Sequence, residues 1–100
     1  EIKSIVSKIT GIDSVIESVI ERLGSVEYAY LIGDYAKGKD SGVIDVVLIG
    51  NIDKNILQEH IQKAEDLVSR KIRAMVMTSD EFTLYTKNQK EPFLLLWSKE

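Results

Sequence analysis

Eight consecutive residues, VIDVVLIG at positions 43–50, constrain this chain more than any other stretch. The run is the length of a strand, almost wholly apolar and rich in β-branched side chains. Such a strand is expected to be central in its sheet and covered on both faces. Its one charge, Asp45, stands near the start of the run, where a carboxylate must find a partner.

The flanking sequence predicts what surrounds that strand. VEYAYLI at 26–32 is aromatic and β-branched enough for a second strand, which Gly33 closes. Upstream, Ile12, Val15, Ile16, Val19, Ile20 and Leu23 recur at intervals of three and four and stop at Gly24, an amphipathic helix with Asp13 and Glu17 on its polar side. Ile2, Ile5, Val6 and Ile9 show the same spacing, interrupted by Gly11. Downstream, Asp53 is placed to cap a long helix carrying Ile56, Leu57, Ile61, Ala64, Leu67 and Val68. KIRAMVMT at 71–78 reads as a third strand, and Thr78 with Glu81 matches a capping box ahead of a short helix through Phe82 and Tyr85. Pro92 opens a last apolar piece, residues 93–97, whose state the pattern leaves open.

The resulting order defines an α/β (α+β) fold with one sheet of at least three strands packed against helices. At 100 residues the chain is a single unit, with residues 1–24 expected as linker helices packing on a domain of residues 25–100. Because it starts at Glu1 rather than Met, we expect a piece of a longer protein. With 44% hydrophobic and 29% charged residues it is an ordinary globular composition, and the formal charge of −3 argues against general binding to a nucleic-acid backbone. The chain has no cysteine, which excludes disulfides and thiolate metal sites and fits a cytoplasmic protein. No apolar run is long enough to span a bilayer, so no membrane partner is expected.

GDYAKG at 33–38 followed by IDVVLIG at 44–50 resembles the signature of the DNA polymerase beta-like nucleotidyltransferase superfamily. There, a strand ends in Gly-Ser, a segment like Ala-Arg-Gly follows, and a second strand begins Ser-Asp-x-Asp-Leu. The similarity is closest to nucleotidyltransferase-like C-terminal domains of winged-helix, ArsR-like regulators, in which a linker helix like residues 1–23 precedes the sheet. The resemblance implies a nucleotidyltransferase-like fold with a small mixed sheet. It also implies the chemistry of active members: carboxylates hold two metal ions, and the small turn lets backbone N–H groups approach a triphosphate.

Against that pattern the chain keeps Gly33, Ala36, Lys37 and Gly38 but departs at each chemical position. Asp34 replaces the serine; Val43 replaces the first of the paired aspartates, leaving Asp45; and Arg73 stands where a third carboxylate is expected. One carboxylate is too little for a magnesium pair. An arginine across from Asp45 would supply the positive charge that a metal gives elsewhere. The expectation is therefore a remnant site of Gly33, Asp34, Asp45 and Arg73, without catalysis and without a cofactor. Gly33, Asp34, Lys37 and Gly38 are the candidates for touching a nucleotide or other anion.

Plainer readings stand beside these. Asp34 is as readily an N-cap or Asx-turn residue. Lys37, Lys39, Arg70, Lys71 and Arg73 are either solvated charges or the lining of an anion pocket. His60 reads as a structural histidine at the edge of a buried face, and Met75 and Met77 as packing residues. Apolar residues 2–9 and 93–97 make a homodimer reasonable. Three functions follow. The leading one is a silent sensing or self-association domain of a transcriptional regulator, reaching DNA only through a winged-helix domain outside this chain. The others are an active, magnesium-dependent enzyme using Asp34 and Asp45 as metal ligands, and an antitoxin-like protein that partners a helical toxin.

Overall fold

The computed structural model describes residues 12–88 and 92–99. The elements in chain order are α1 (Ile12–Leu23), β1 (Val26–Ile32), α2 (Gly33–Ala36), β2 (Val43–Gly50), α3 (Lys54–Val68), β3 (Lys71–Met77), α4 (Ser79–Asn88) and β4 (Leu94–Ser98). The expected helix within residues 2–9 lies outside the described residues.

Local chemistry accounts for the element ends. α1 stops at Gly24, whose N–H donates to the Ile20 carbonyl at 3.2 Å. Asp53 caps α3 as expected, its Oδ1 accepting from the N–H groups of Asn55 at 2.9 Å and Ile56 at 3.3 Å. The same helix ends at Ser69, which takes the left-handed conformation (φ 55°, ψ 40°) and donates to the Glu65 carbonyl. The capping box at α4 is reciprocal: Thr78 N–H donates to Glu81 Oε1 at 2.8 Å, and Glu81 N–H donates to Thr78 Oγ1 at 3.1 Å.

The sheet is mixed, in the order β3-β2-β1-β4. β1 runs antiparallel to both β2 and β4, whereas β2 and β3 are parallel and joined by the α3 crossover. The open question of residues 93–97 is thereby settled: residues 94–97 lie in β4, which pairs along β1, with Trp97 opposite Ala29 and Leu95 opposite Tyr30, and Phe93 just precedes it.

The two faces of the sheet are covered unequally. One face contributes Ala29, Leu31, Ile44, Val46, Leu48, Ile72 and Leu96 to the main core, beneath Ile16, Val19 and Ile20 of α1 and Leu57, Ile61, Ala64 and Val68 of α3. α1 packs directly on α3. Each large aliphatic side chain buried there stabilises the fold by roughly 1.5–3 kcal/mol. The other face holds a smaller cluster of Ile32, Val47 and Ile49 under Tyr28, Tyr30, Met77, Phe82 and Tyr85. Its cover is α4, none of whose residues is fully buried. β2 is thus enclosed on both sides from Val46 to Ile49, while Val43 and Asp45 are only half-buried.

Three residues assigned to packing prove exposed. Ile56 and Leu67 sit on the solvent side of α3, with Leu67 75% exposed, because the helix buries only a narrow stripe. Met77 joins the smaller cluster, but Met75, one pleat earlier on the same edge strand, is 40% exposed. No helix among the described residues is long and apolar enough to cross a membrane.

Candidate functional site

The lightly covered sheet face brings the resembling residues together. Asp45 is the third residue of β2 and Arg73 the third of β3, and the parallel register sets them directly opposite each other. Residues paired across adjacent strands project to the same face, so the two side chains meet. Arg73 Nε donates to Asp45 Oδ1 at 2.7 Å and Nη2 to Oδ2 at 3.0 Å. This is a two-pronged, charge-assisted pair that occupies both carboxylate oxygens. The Arg73 side chain is 62% exposed and that of Asp45 21%. The hydrogen bond to Asp45, and then its negative charge, push the guanidinium pKa higher still.

Gly33 completes the contact. Its φ of +71° lies in the left-handed region, and a Cβ built there would stand 2.8 Å from Asp45 Oδ2. Only a residue without a side chain lets the β1–α2 turn lie this close to the carboxylate. The turn continues into α2, a single turn of helix. Asp34 does not cap it: the N-cap position is Ile32, with no side-chain bond, and the exposed Asp34 closes the loop through its backbone carbonyl, which accepts from the N–H groups of Lys37 and Lys39. Gly38 N–H donates to the Tyr35 carbonyl at 3.0 Å, and Tyr35 itself is buried in the main core.

A second ion pair, unforeseen in the sequence, fastens the other end of this loop. Arg70 Nε donates to both oxygens of Asp40, at 3.0 and 3.1 Å, and Nη2 to Oδ2 at 2.5 Å. Arg70 Nη1 reaches the Val68 carbonyl at 2.8 Å, and Gly42 N–H donates to Asp40 Oδ1 at 3.1 Å. The Arg70 hydrogen bonds, helped by those from Gly42 and Tyr35, hold the Asp40 carboxyl down at about 2. The Asp-Ser-Gly sequence at 40–42 signals a turn, but nothing in it points to an arginine 30 residues away. Of the five cations considered for an anion pocket, both arginines are therefore already matched to carboxylates.

Other candidates lie elsewhere. His60 is half-buried on a groove between α1 and α3 that Ser14, Ser18 and Lys63 also line. Among the described residues, no three His, Asp or Glu side chains come together in a way that would hold a metal ion. Behind the ion pair, Tyr30 stacks on Phe82 with ring centres 4.5 Å apart, and Phe93 meets both edge-on at 5.6 Å. Burial, reinforced by Tyr28, pushes up the pKa of the Tyr30 hydroxyl.

The architecture has counterparts among solved structures. A chain of a toxin–antitoxin assembly containing AMP-PNP superposes with a TM-score of 0.66 at 17% identity, over 88% of this chain and 74% of that one. A chain of the complex between the tri-AMPylated Shewanella oneidensis HEPN toxin and its MNT antitoxin matches with 0.63 at 15% identity, over 88% and 71%. A candidate nucleotidyltransferase from Sulfolobus solfataricus matches with 0.56 at 16% identity, over 87% and 77%. No protein-family model and no curated protein sequence matches the chain. The fold is nucleotidyltransferase-like: a four-stranded mixed sheet packed against helices. At these identities it is the fold that is shared, and fold alone does not fix function.

Proposed function

We propose that this chain is a nucleotidyltransferase-fold domain without transfer chemistry, whose work is to bind another protein. The fork between Asp45 and Arg73 carries this reading. Magnesium requires several oxygen ligands in near-octahedral array, and a pair of ions requires several carboxylates. Here the one carboxylate of β2, Asp45, has both oxygens engaged by a guanidinium, Val43 brings no oxygen, and Arg73 is a cation where a ligand is needed. The residues present do not suit the metal pair. Asp34 beside the turn adds negative charge where a triphosphate would lie, which works against the nucleotide as well.

A protein partner is supported by what the chain resembles and by what it exposes. Two of the similar structures are toxin–antitoxin assemblies. The lightly covered sheet face exposes Met75 and Leu95, Phe93 lies exposed just before β4, and the covering helix α4 exposes Leu84. The antitoxin form of the reading names the partner as a helical toxin protein. The regulator form attaches the domain to a winged-helix DNA reader; its support is the resemblance of residues 1–23 to a linker helix and the packing of α1 on α3.

Transfer of nucleotide from ATP with and without magnesium tests the central claim. No turnover and no magnesium-dependent binding are expected. Magnesium-dependent transfer abolished by Asp45→Ala would overturn the reading in both forms. The two forms separate on gene context: the antitoxin form requires a helical protein, encoded alongside, that co-purifies as a stoichiometric complex. The regulator form requires a DNA-reading segment in the same polypeptide.

A further inference from the structure

Strand β3 lies at one edge of the sheet, and part of that edge is open. Along a strand, residues alternate in aiming their N–H and C=O groups toward the neighbouring strand or away from it. Lys71 N–H donates to the Gly42 carbonyl on the β2 side, so positions 71, 73, 75 and 77 bond inward and Ile72, Ala74 and Val76 face out. Carboxylates close both ends of the outer edge: Glu65 of α3 accepts the Ile72 N–H and Glu81 of α4 the Thr78 N–H, each at 2.8 Å. Between them, the outward N–H and C=O groups of Ala74 and Val76 meet no strand among the described residues. The side chains of Ala74 and Val76 lie against the main core, on the α3 side of the sheet, and both residues are only half-buried. A cavity of about 510 Å³ opens beside them, with Lys54, Leu57 and Gln58 of α3 and Glu81 of α4 in its wall.

We infer that this window binds a short extended segment of a partner protein by strand addition, the segment carrying apolar side chains at alternate positions and basic ones at its ends. The inference rests on the protein-binding reading above and deepens it by naming the surface and the kind of segment. Main-chain bonds to Ala74 and Val76 would hold the segment, and its alternate side chains would supply selectivity. Residues level with Ala74 and Val76 point to the same side as these two, into the cavity beside Leu57. Glu65 and Glu81 already fill the next outward N–H group at either end, so the added strand must stop or bend away there. That keeps the segment short.

Charge selects its ends. Glu65 and Glu81 each spend one oxygen on the edge, and a carboxylate accepts more bonds than one N–H supplies. A lysine or arginine level with Ile72 or Thr78 is therefore matched, and an acidic residue there is repelled. The exposed Lys54 and Lys71 also border the window, but no hydrogen bond among the described residues holds either side chain on the edge. The charge fixed along the edge is negative. It disfavours a second copy of β3 as the occupant, because an antiparallel copy centred on Met75 would set Glu65 against Glu81.

The test uses the full chain and the peptide acetyl-Lys-Thr-Val-Thr-Val-Thr-Lys-amide, with amide exchange followed by NMR. In the free chain the Ala74 and Val76 N–H groups should exchange quickly while that of Met75, bonded inward, is protected. Saturating peptide should slow Ala74 and Val76 by about tenfold or more. Replacing both peptide lysines with glutamate should weaken binding by about tenfold or more. Two further peptides carry backbone N-methyl groups, one at the valines and one at the threonines. A ladder uses the N–H groups of one set only, so one of the two should lose binding and the other keep it. Ala74 and Val76 amides already slow without peptide would mean that the chain itself or a second copy fills the edge. That result, no slowing at millimolar peptide, undiminished binding of the glutamate-ended peptide, or undiminished binding of both methylated ones would each overturn the inference. A chain without turnover that binds a partner protein yet ignores the peptide would refute this site alone and leave the function proposed above standing.

Discussion

Gly33 and Asp45 are in contact across the β1–β2 pair, so closely that a single methyl group at position 33 would lie 2.8 Å from Oδ2. Gly33→Ala therefore meets two penalties at once: a left-handed backbone and a displaced carboxylate. Strain of the first kind costs ~1–2 kcal/mol, and the shift of Asp45 away from Arg73 adds to it. Urea unfolding is expected to show a loss of about 1–3 kcal/mol. A loss below ~0.5 kcal/mol would mean that the turn relaxes freely and that the glycine is not what sets the approach.

Metal should be irrelevant to the unmodified chain and relevant to one variant. Chelator or added magnesium is expected to leave the melting temperature unchanged. Arg73→Asp exchanges the guanidinium for a second carboxylate beside Asp45, so the variant should melt below the parent without metal and recover with manganese. Saturation at ~100 times the dissociation constant would restore about 2.7 kcal/mol. Thermal melts against manganese concentration measure both effects. A parent chain that melts higher with magnesium contradicts the ion-pair account.

Acid should loosen the clamp between Asp40 and Arg70 over a defined interval. The carboxyl titrates at about 2 in the folded chain against an ordinary value of 3.8, so between those values the unfolded chain binds the extra proton. The stabilisation is fully present above about pH 4 and is lost as the pH falls toward about 2. Asp40→Asn should start lower at neutral pH and show a flatter decline over that interval. Denaturant midpoints across the acid range would reveal an unchanged slope if the pair were idle.

Capping at α3 provides a control remote from the site. Asp53→Ala leaves the N–H groups of Asn55 and Ile56 without their acceptor and should cost about 1 kcal/mol. Asp53→Asn, which keeps an acceptor, should retain most of it. Equal losses in the two variants, measured by chemical denaturation, would show that charge rather than the hydrogen bond does the capping.

Much of this architecture was legible because it is written in local periods. The three-and-four spacing of α1 and α3, the unbroken apolar run of β2 and the Thr78–Glu81 box each need only neighbouring residues. The opposition of Asp45 and Arg73 was legible too, since a strand-to-strand alignment follows once β2 and β3 are placed in parallel. What escaped depends on position in the sheet. LLLW within β4 has no alternation to separate strand from helix, and only its place beside β1 defines it. Met75 and Met77 have the same local pattern, yet α4 reaches one and not the other. The clamp of Asp40 by Arg70 joins two loops, where no periodicity exists to be read.

The register of β2 against β3 also works as an evolutionary ratchet. Losing Arg73 first strands a half-buried anion, and gaining a carboxylate at Val43 first crowds negative charge beside one already satisfied. Either single step leaves an unbalanced charge, so the pair resists change at one position at a time.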